Sequence, residues 1–571
     1  MHVPHDGAGI AAGVRAALWI LGLWYAAPLV ARRAAWAERI VATAALGIAI
    51  PCALGIAGVL AAPTAWALLV ALVVARVVRA GWREASFAPT LAGCAGVVVL
   101  VALAWPPAVR PVMDGDTLQY HLPNAAAWVS HHSLWTTGTT YWWYPPAAEL
   151  FAAGLWAVAG APSVGLTGIV PAALLLARFM QVARERGRSP WIGAALAALL
   201  LATPAARAEI VSVQNDLWLA AFFVEAFVTQ RALARSICAL IKPHAVAFAF
   251  LSIARERWRR PSTFVFLVPF ALWVLRDALL VHGAVFSPAS ASVPEVWKTT
   301  IAWNLPGSAA VLAGALLHAG IATTALALTG ILAGVFDARY RLAALGALAI
   351  FLVIPFGYVN PLPQLADGQS LRYALPLFAL GALRAVTLPR YVAAAAAALS
   401  VAAVAFEVDR WWDVFANDAT THDVPYVVAV AAVALAVLVG ASRRGLRVGV
   451  YGTLGLLAAV AWAAGLAATH PLDYLTDRFD PHRGSAGVFV RLHALAPRRL
   501  VVAGLPAGAF VLAVPSARVD DAVLEGCDQA RAAGALLVTT AMDGCTGTLL
   551  YRDTAIRVVA PSGERFPGVR S

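Results

Sequence analysis

Apolar runs of about 20 residues recur along this chain, separated by short clusters of arginine. A helix of that length is what it takes to cross the hydrocarbon layer of a membrane. A chain built this way cannot hide its apolar surface in one soluble core. The composition agrees: 61% of the 571 residues are hydrophobic and 13% are charged, against about 25% charged in soluble domains. A soluble enzyme, a disordered chain, a collagen and a disulfide scaffold are excluded, and a multi-pass membrane protein remains.

The net charge of +12 does not point to nucleic acid. Lysine occurs only at Lys242 and Lys298, and the arginines sit in short loops between apolar runs. That is the pattern of orientation signals beside anionic lipid. The first run, near Val14 to Ala31, lacks an A-x-A cleavage site and ends in Arg32-Arg33, which predicts a retained helix.

Placing the basic clusters on one side of the membrane fixes a parity. Those at 32–39, 76–83, 184–188, 231–235, 255–260, 339–341, 390 and 443–447 face the cytoplasm. Helices near 14–31, 40–60, 63–78 and 88–106 then leave the loop 107–145 outside. Further helices near 163–180, 190–204, 216–230, 261–280, 308–335, 342–358, 373–388, 391–406, 425–441 and 448–468 bring the total to about fourteen. The remaining outer loops are 205–215, 281–307, 359–372 and 407–424, with the tail from His470 also outside. Two apolar stretches break the count. Pro145–Gly160 is short, opens on Pro-Pro and reads as an interfacial or juxtamembrane helix on the outer side. Ser236–Ile253 has basic residues on both flanks and reads as re-entrant or interfacial.

The tail changes character. Short Val- and Leu-rich runs at 500–504, 509–514, 535–540, 548–551 and 556–560 predict a small α/β domain, without a glycine-rich phosphate loop. Cys527 and Cys545 lie in it, where an oxidising compartment favours a disulfide. Cys52, Cys94 and Cys238 lie in apolar runs, and no metal-type cysteine spacing occurs. The predicted architecture is an all-α polytopic membrane protein with a small C-terminal α/β extracytoplasmic domain. Its divisions are 1–87, a set of extra N-terminal helices, 88–469, a membrane module, and 470–571, the outer domain.

The outer loop 107–145 concentrates acids, histidines and aromatics. It reads Met113-Asp-Gly-Asp-Thr-Leu-Gln-Tyr-His-Leu-Pro123, then His131-His-Ser-Leu-Trp135, then Tyr141-Trp-Trp-Tyr-Pro-Pro-Ala-Ala-Glu149. Its Trp and Tyr residues suit an ordered cap at the interface, while Asp114 and Asp116 suit a general base acting on a hydroxyl.

These motifs carry a resemblance. Asp116-Thr-Leu-Gln-Tyr-His-Leu-Pro123 resembles the first-loop acid motif of bacterial GT-C glycosyltransferases that use polyprenyl-phosphate sugars. Tyr144-Pro-Pro-Ala-Ala-Glu-Leu150 is similar to the Pro-Pro motif that follows that loop. Asn215-Asp216-Leu-Trp-Leu-Ala is similar to the second outer acid, and Ile241-Lys242-Pro243 to a lysine turn. Arg276 through Gly283 to Pro288 resembles an Arg…Gly-x-x-x-x-Pro loop, and Leu371-Arg-Tyr-Ala-Leu-Pro376 an Arg-Tyr-x-x-Pro helix start. The relatives include protein mannosyltransferases and the transferases that decorate lipid A and cell-envelope glycans. The likeness covers most of 88–571. Three extra helices precede the usual first one, and the Lys242 region is shorter than in the family.

The resemblance implies transfer of a sugar from a polyprenyl-phosphate carrier to an extracytoplasmic hydroxyl of a glycan, lipid or protein, in a bacterial plasma (inner) membrane. Asp116 is the expected base, with Asp114 as the alternative. Asp216 is either a helix-start acid favoured by the dipole or a second acid of the site. Glu149 has the same two readings. Arg372 is either an interfacial anchor or the phosphate ligand. Lys242 and His244 reach the outer face only by re-entry. Tyr120, His121, Tyr144, Arg276 and Tyr373 complete the expected substrate-binding set. No cofactor is assigned. A divalent cation stays open, although Asp114, Asp116, His121, His131 and His132 show no metal-ligand spacing.

Other classes make other demands. A transporter or flippase needs charged residues in mid-helix along a central path, whereas these acids gather in outer loops. A non-catalytic scaffold or receptor does not require clustered loop acids. A glycan polymerase or ligase leans on Arg and His rather than on a paired-acid loop.

Overall fold

The computed structural model describes residues 8–31, 35–80, 116–136, 141–280 except 211, 320–353 and 369–398. Within 486–560 it describes the strands, the helices and most of the turns. Among the described residues the chain is mostly helical, with one small C-terminal sheet. Among the described residues four helices are long and apolar enough to cross a membrane: Trp36–Ile56, Ala62–Arg79, Ser163–Glu185 and Pro261–Leu280. The helices predicted at 88–106, 425–441 and 448–468, and the loop residues 107–115 with Asp114, lie outside the described residues.

The centre is the Asp216–Thr229 helix, buried from Asp216 through Phe227. The Ile169–Glu185, Ala232–Ala239 and Leu375–Thr387 helices pack around it. In lipid such packing draws on close contact rather than on expulsion of water, and the residues at the crossings are small. A Cβ on Gly381 would strike the Leu326 carbonyl oxygen, and one on Gly168 the Glu209 carbonyl oxygen. Aromatic rings fill the wider gaps: Trp218 stacks on Phe222 at 5.4 Å and donates its indole N–H to the Thr167 carbonyl at 3.2 Å.

Three helices run in the same sense. Ile169–Glu185 starts beside Glu209 and ends at Arg184–Arg188. Asp216–Thr229 ends before Arg231, which pairs with Glu38 at 2.8 Å. Leu375–Thr387 follows Arg372 and ends where Arg188 donates to the carbonyls of Val386 and Thr387. One end of the bundle therefore collects arginines, and the other collects Asp116, Asp216 and Arg372.

The Ser236–Ile253 stretch is a hairpin. Ala232–Ala239 rises, Leu240–His244 turns and Ala245–Leu251 returns. At its foot Arg235 donates to Gln230 Oε1 (2.6 Å) and Ser252 Oγ (3.2 Å). At its tip Lys242 reaches Asp216. Arms of 8 and 7 residues are about 12 Å long each, too short to cross and long enough to bring the turn to the acidic end.

The Ala147–Ala159 helix is buried over nearly its whole surface and packs against Trp36–Ile56. Its alanines and Gly154 allow this, Gly154 lying 3.5 Å from the Gly47 carbonyl oxygen when given a Cβ.

The C-terminal sheet has the order β2-β1-β3-β5-β4. Here β1 is Arg499–Ala503, β2 Arg518–Asp521, β3 Leu536–Thr540, β4 Thr548–Arg552 and β5 Ile556–Ala560. The pairs β1–β2 and β1–β3 are parallel, while β3–β5 and β4–β5 are antiparallel. Cys527 and Cys545 are joined in a disulfide with Cα atoms 5.6 Å apart. Strand β2 lies against the Leu122–Ser130 helix, so this unit sits at the acidic end of the bundle.

Candidate active site

Four separate segments deliver the charges of the site. Asp116 precedes a single wide π turn, Thr117–His121, a feature frequent at functional sites. Asp216 occupies the first turn of its helix, where the dipole favours a carboxylate. Lys242 sits at the hairpin tip, and Arg372 in the tight turn Gln369–Ala374. Lys242 Nζ donates to Asp216 Oδ1 at 2.5 Å. Arg372 Nε stands 3.5 Å from Asp216 Oδ2, and Arg372 Nη2 donates to Asp116 Oδ2 and, at 3.0 Å, to the Tyr373 hydroxyl. Two acids and two cations thus alternate, joined through Asp216 and Arg372.

The backbone holds this arrangement. Asn215 donates its side-chain amide to the Ile241 carbonyl at 3.1 Å, tying the Asp216 helix start to the lysine turn. The Ala147 N–H, just past Pro145-Pro146, donates to the Leu240 carbonyl at 2.8 Å. The Pro-Pro element therefore clamps the same turn from the other side.

Exposure separates the acids. Asp216 is 2% exposed and Asp116 27%, so Asp116 is the one an incoming group can reach. Aromatic rings wall the site. Tyr120, Tyr141 and Tyr144 lie 5.0, 5.7 and 4.8 Å apart, ring to ring, with Tyr141 at φ +56°, a left-handed value unusual for a bulky residue. Burial, reinforced by nearby charges including Asp116, pushes the phenols of Tyr120 and Tyr144 up, so they stay protonated. Tyr373 lies 5.0 Å beneath both Lys242 Nζ and the Arg372 guanidinium, a cation–π contact with each.

The remaining predicted residues stand apart in role. His121 and Glu149 bond each other at 2.5 Å, each 1% exposed, with His121 packed 4.0 Å from Tyr120. They support the tyrosine wall from behind. Arg276 does not join the cluster. Its fork is spent on the carbonyls of Leu134, Thr136 and Trp142 and on Asp277 at 2.6 Å, and it stacks 4.3 Å from Trp273. It pins the loop that ends in the tyrosine wall.

Sequence reasoning missed Glu209. It is fully buried, and its Oε2 accepts the Leu217 N–H at 2.5 Å. The signal available was an acid five residues past Pro204, in the stretch Pro204-Ala-Ala-Arg207-Ala-Glu209-Ile210. Among the described residues no group of three His, Cys, Asp or Glu side chains converges as a metal site. Asp116 and Asp216 are turned to Arg372 and Lys242, which already neutralise them.

No family model matches the sequence, and neither does any curated protein. Among solved structures, the chain is similar to the crystal structure of ArnT from Cupriavidus metallidurans bound to undecaprenyl phosphate. That likeness has a TM-score of 0.44 at 14% identity, over 82% of this chain and 98% of that one. Against the apo state of the same protein the TM-score is 0.40 at 15% identity, over 82% and 97%.

Proposed function

We propose that this chain is an integral membrane glycosyltransferase of GT-C type, moving a sugar from a polyprenyl-phosphate carrier to an extracytoplasmic hydroxyl. The observation that carries the reading is the alternation of Asp116, Arg372, Asp216 and Lys242 behind a tyrosine wall. A carboxylate open to an acceptor touches one cation, Arg372, and Asp216 links that cation to a second, Lys242, the two suited to a leaving phosphate.

In this mechanism the acceptor hydroxyl gives its proton to Asp116 as its oxygen bonds the anomeric carbon. The bond from that carbon to the phosphate oxygen breaks, and its electron pair stays on the phosphate. Arg372 and Lys242 receive that charge, Arg372 through a planar fork that fits phosphate. To do so Arg372 gives up its contact with Asp116, which frees the base at the moment the donor is seated. Asp216 remains behind both cations and keeps them oriented. The tyrosines supply flat faces and neutral hydroxyls for the sugar. Asp114 is the alternative base.

The reading assigns 1–87 to extra membrane helices, 88–469 to the transfer module and 470–571 to an extracytoplasmic domain, in a bacterial plasma membrane of about fourteen spans. It fits a hexosyl or pentosyl donor; the acceptor is a glycan, lipid or protein of the cell envelope.

The test supplies membranes containing the protein with a labelled polyprenyl-phosphate sugar. A new glycosidic bond on an acceptor supports the reading. Movement of intact labelled lipid between leaflets, with no new bond, marks a flippase instead.

A further inference from the structure

The Asp216–Thr229 helix starts without its own cap: Asn215 makes no side-chain bond to the first turn. The Leu217 N–H is satisfied instead by Glu209, from the Pro204–Ile210 helix. That helix approaches closely because Gly168, in the neighbouring turn, carries no Cβ to strike the Glu209 carbonyl oxygen. Only one carboxyl oxygen of Glu209 is used. The other, Oε1, is buried and has no hydrogen-bond partner.

An ionised carboxylate in that position would be costly. The site already balances two acids against two cations, and among the described residues a third buried negative charge would have to share Lys242 and Arg372 with them. The charged groups facing Glu209 are Asp216 on the helix it caps, Lys242 at the hairpin tip and Arg372 in the 369–374 turn, with His244 beyond Lys242. Burial is the largest influence and raises its proton affinity. Asp216 raises it further, against the opposing pull of Lys242, Arg372 and the Leu217 N–H, and the balance lies well above the usual carboxyl range.

We propose that Glu209 is a positioning residue that works as a neutral carboxylic acid, capping the turn that bears Asp216 so that Asp216 stands as the buried anion between Lys242 and Arg372. Only the activity arm of its test rests on the transferase reading. Neutral Glu209 leaves the cations free to take a phosphate. Once ionised, it competes for them, so donor binding weakens as pH rises through its titration.

The experiment compares the full-length wild type with E209Q and E209A. Infrared difference spectra of the purified proteins at neutral pH come first. A protonated-carboxyl band present in wild type and absent in E209Q is expected; no such band overturns the proposal. The second arm measures sugar transfer against pH. Glutamine keeps an oxygen for the Leu217 N–H, so E209Q is expected within about threefold of wild type at neutral pH, with its alkaline decline flattened. Alanine removes the cap, and E209A is expected to raise KM for the lipid-linked sugar by about tenfold, the scale of a lost helix cap. An E209Q variant as impaired as E209A, or one with the wild-type alkaline limb, overturns the proposal. If wild type itself transfers no sugar, the function reading fails while the infrared arm still decides the state of Glu209.

Discussion

Lys242 and Asp216 form the buried half of the site, and their pairing can be weighed without any substrate. Their side chains are 6% and 2% exposed and their atoms 2.5 Å apart. Removing one partner of a buried ion pair costs about 3–5 kcal/mol, because the other charge is left in a poor solvent. In K242M, Asp216 keeps Arg372 Nε at 3.5 Å, which softens the loss, so about 3 kcal/mol is expected. Methionine preserves most of the stem and removes only the Nζ cation that lies over Tyr373. In D216N, Lys242 faces Arg372 without an intervening charge, and the cost falls at the upper end of that range. The double variant K242M/D216N leaves neither charge stranded. It is expected to recover much of the sum, giving a coupling of about 2 kcal/mol or more. The assay is equilibrium unfolding of the four purified proteins in one mild detergent, read by tryptophan emission. Additive effects, with coupling under about 0.5 kcal/mol, would refute the contact and with it the hairpin that brings Lys242 to the acidic end.

Two further outcomes follow from the geometry. R276K keeps the charge but loses the fork that holds the carbonyls of Leu134, Thr136 and Trp142. The expected result is faster hydrogen exchange and proteolysis in the 131–143 segment, with a stability loss of about 2 kcal/mol. Cys527→Ser opens a loop with a sequence separation of 18. On chain-entropy grounds the C-terminal domain loses about 3 kcal/mol, visible as a lower unfolding temperature that wild type reproduces only under reducing agent.

How far the sequence speaks for itself can be judged residue by residue. The apolar runs and their arginine boundaries anticipate helices at 40–60, 163–180, 216–230 and 261–280, because charge is expensive in lipid and the pattern is written in composition. The arginine boundaries also mark Ser236–Ile253, since a short stretch with basic residues on both flanks cannot cross. The burial of Ala147–Ala159 is not legible in the sequence: its length suits an interfacial helix, and only Gly47, whose missing Cβ leaves room for the Phe151 ring of this helix, shows how it packs inward. Arg178 and Glu225 stand within the apolar helices Ile169–Glu185 and Asp216–Thr229. They close on each other through two bonds of 2.6 Å, a partnership of residues 47 apart that no local pattern reveals. Glu209 and Arg276 share that difficulty. Their roles lie in which backbone groups they satisfy, and backbone groups leave no mark on a sequence.

The measurement that bears most directly on the central claim is sugar transfer by D116N beside wild type, in matched membranes with a labelled polyprenyl-phosphate sugar. A general base contributes about 10²–10⁴ in rate, and asparagine keeps the shape while removing the proton acceptor. The account predicts a fall in kcat of at least about a hundredfold with the protein still folded and inserted. Transfer by D116N at the wild-type rate would contradict it.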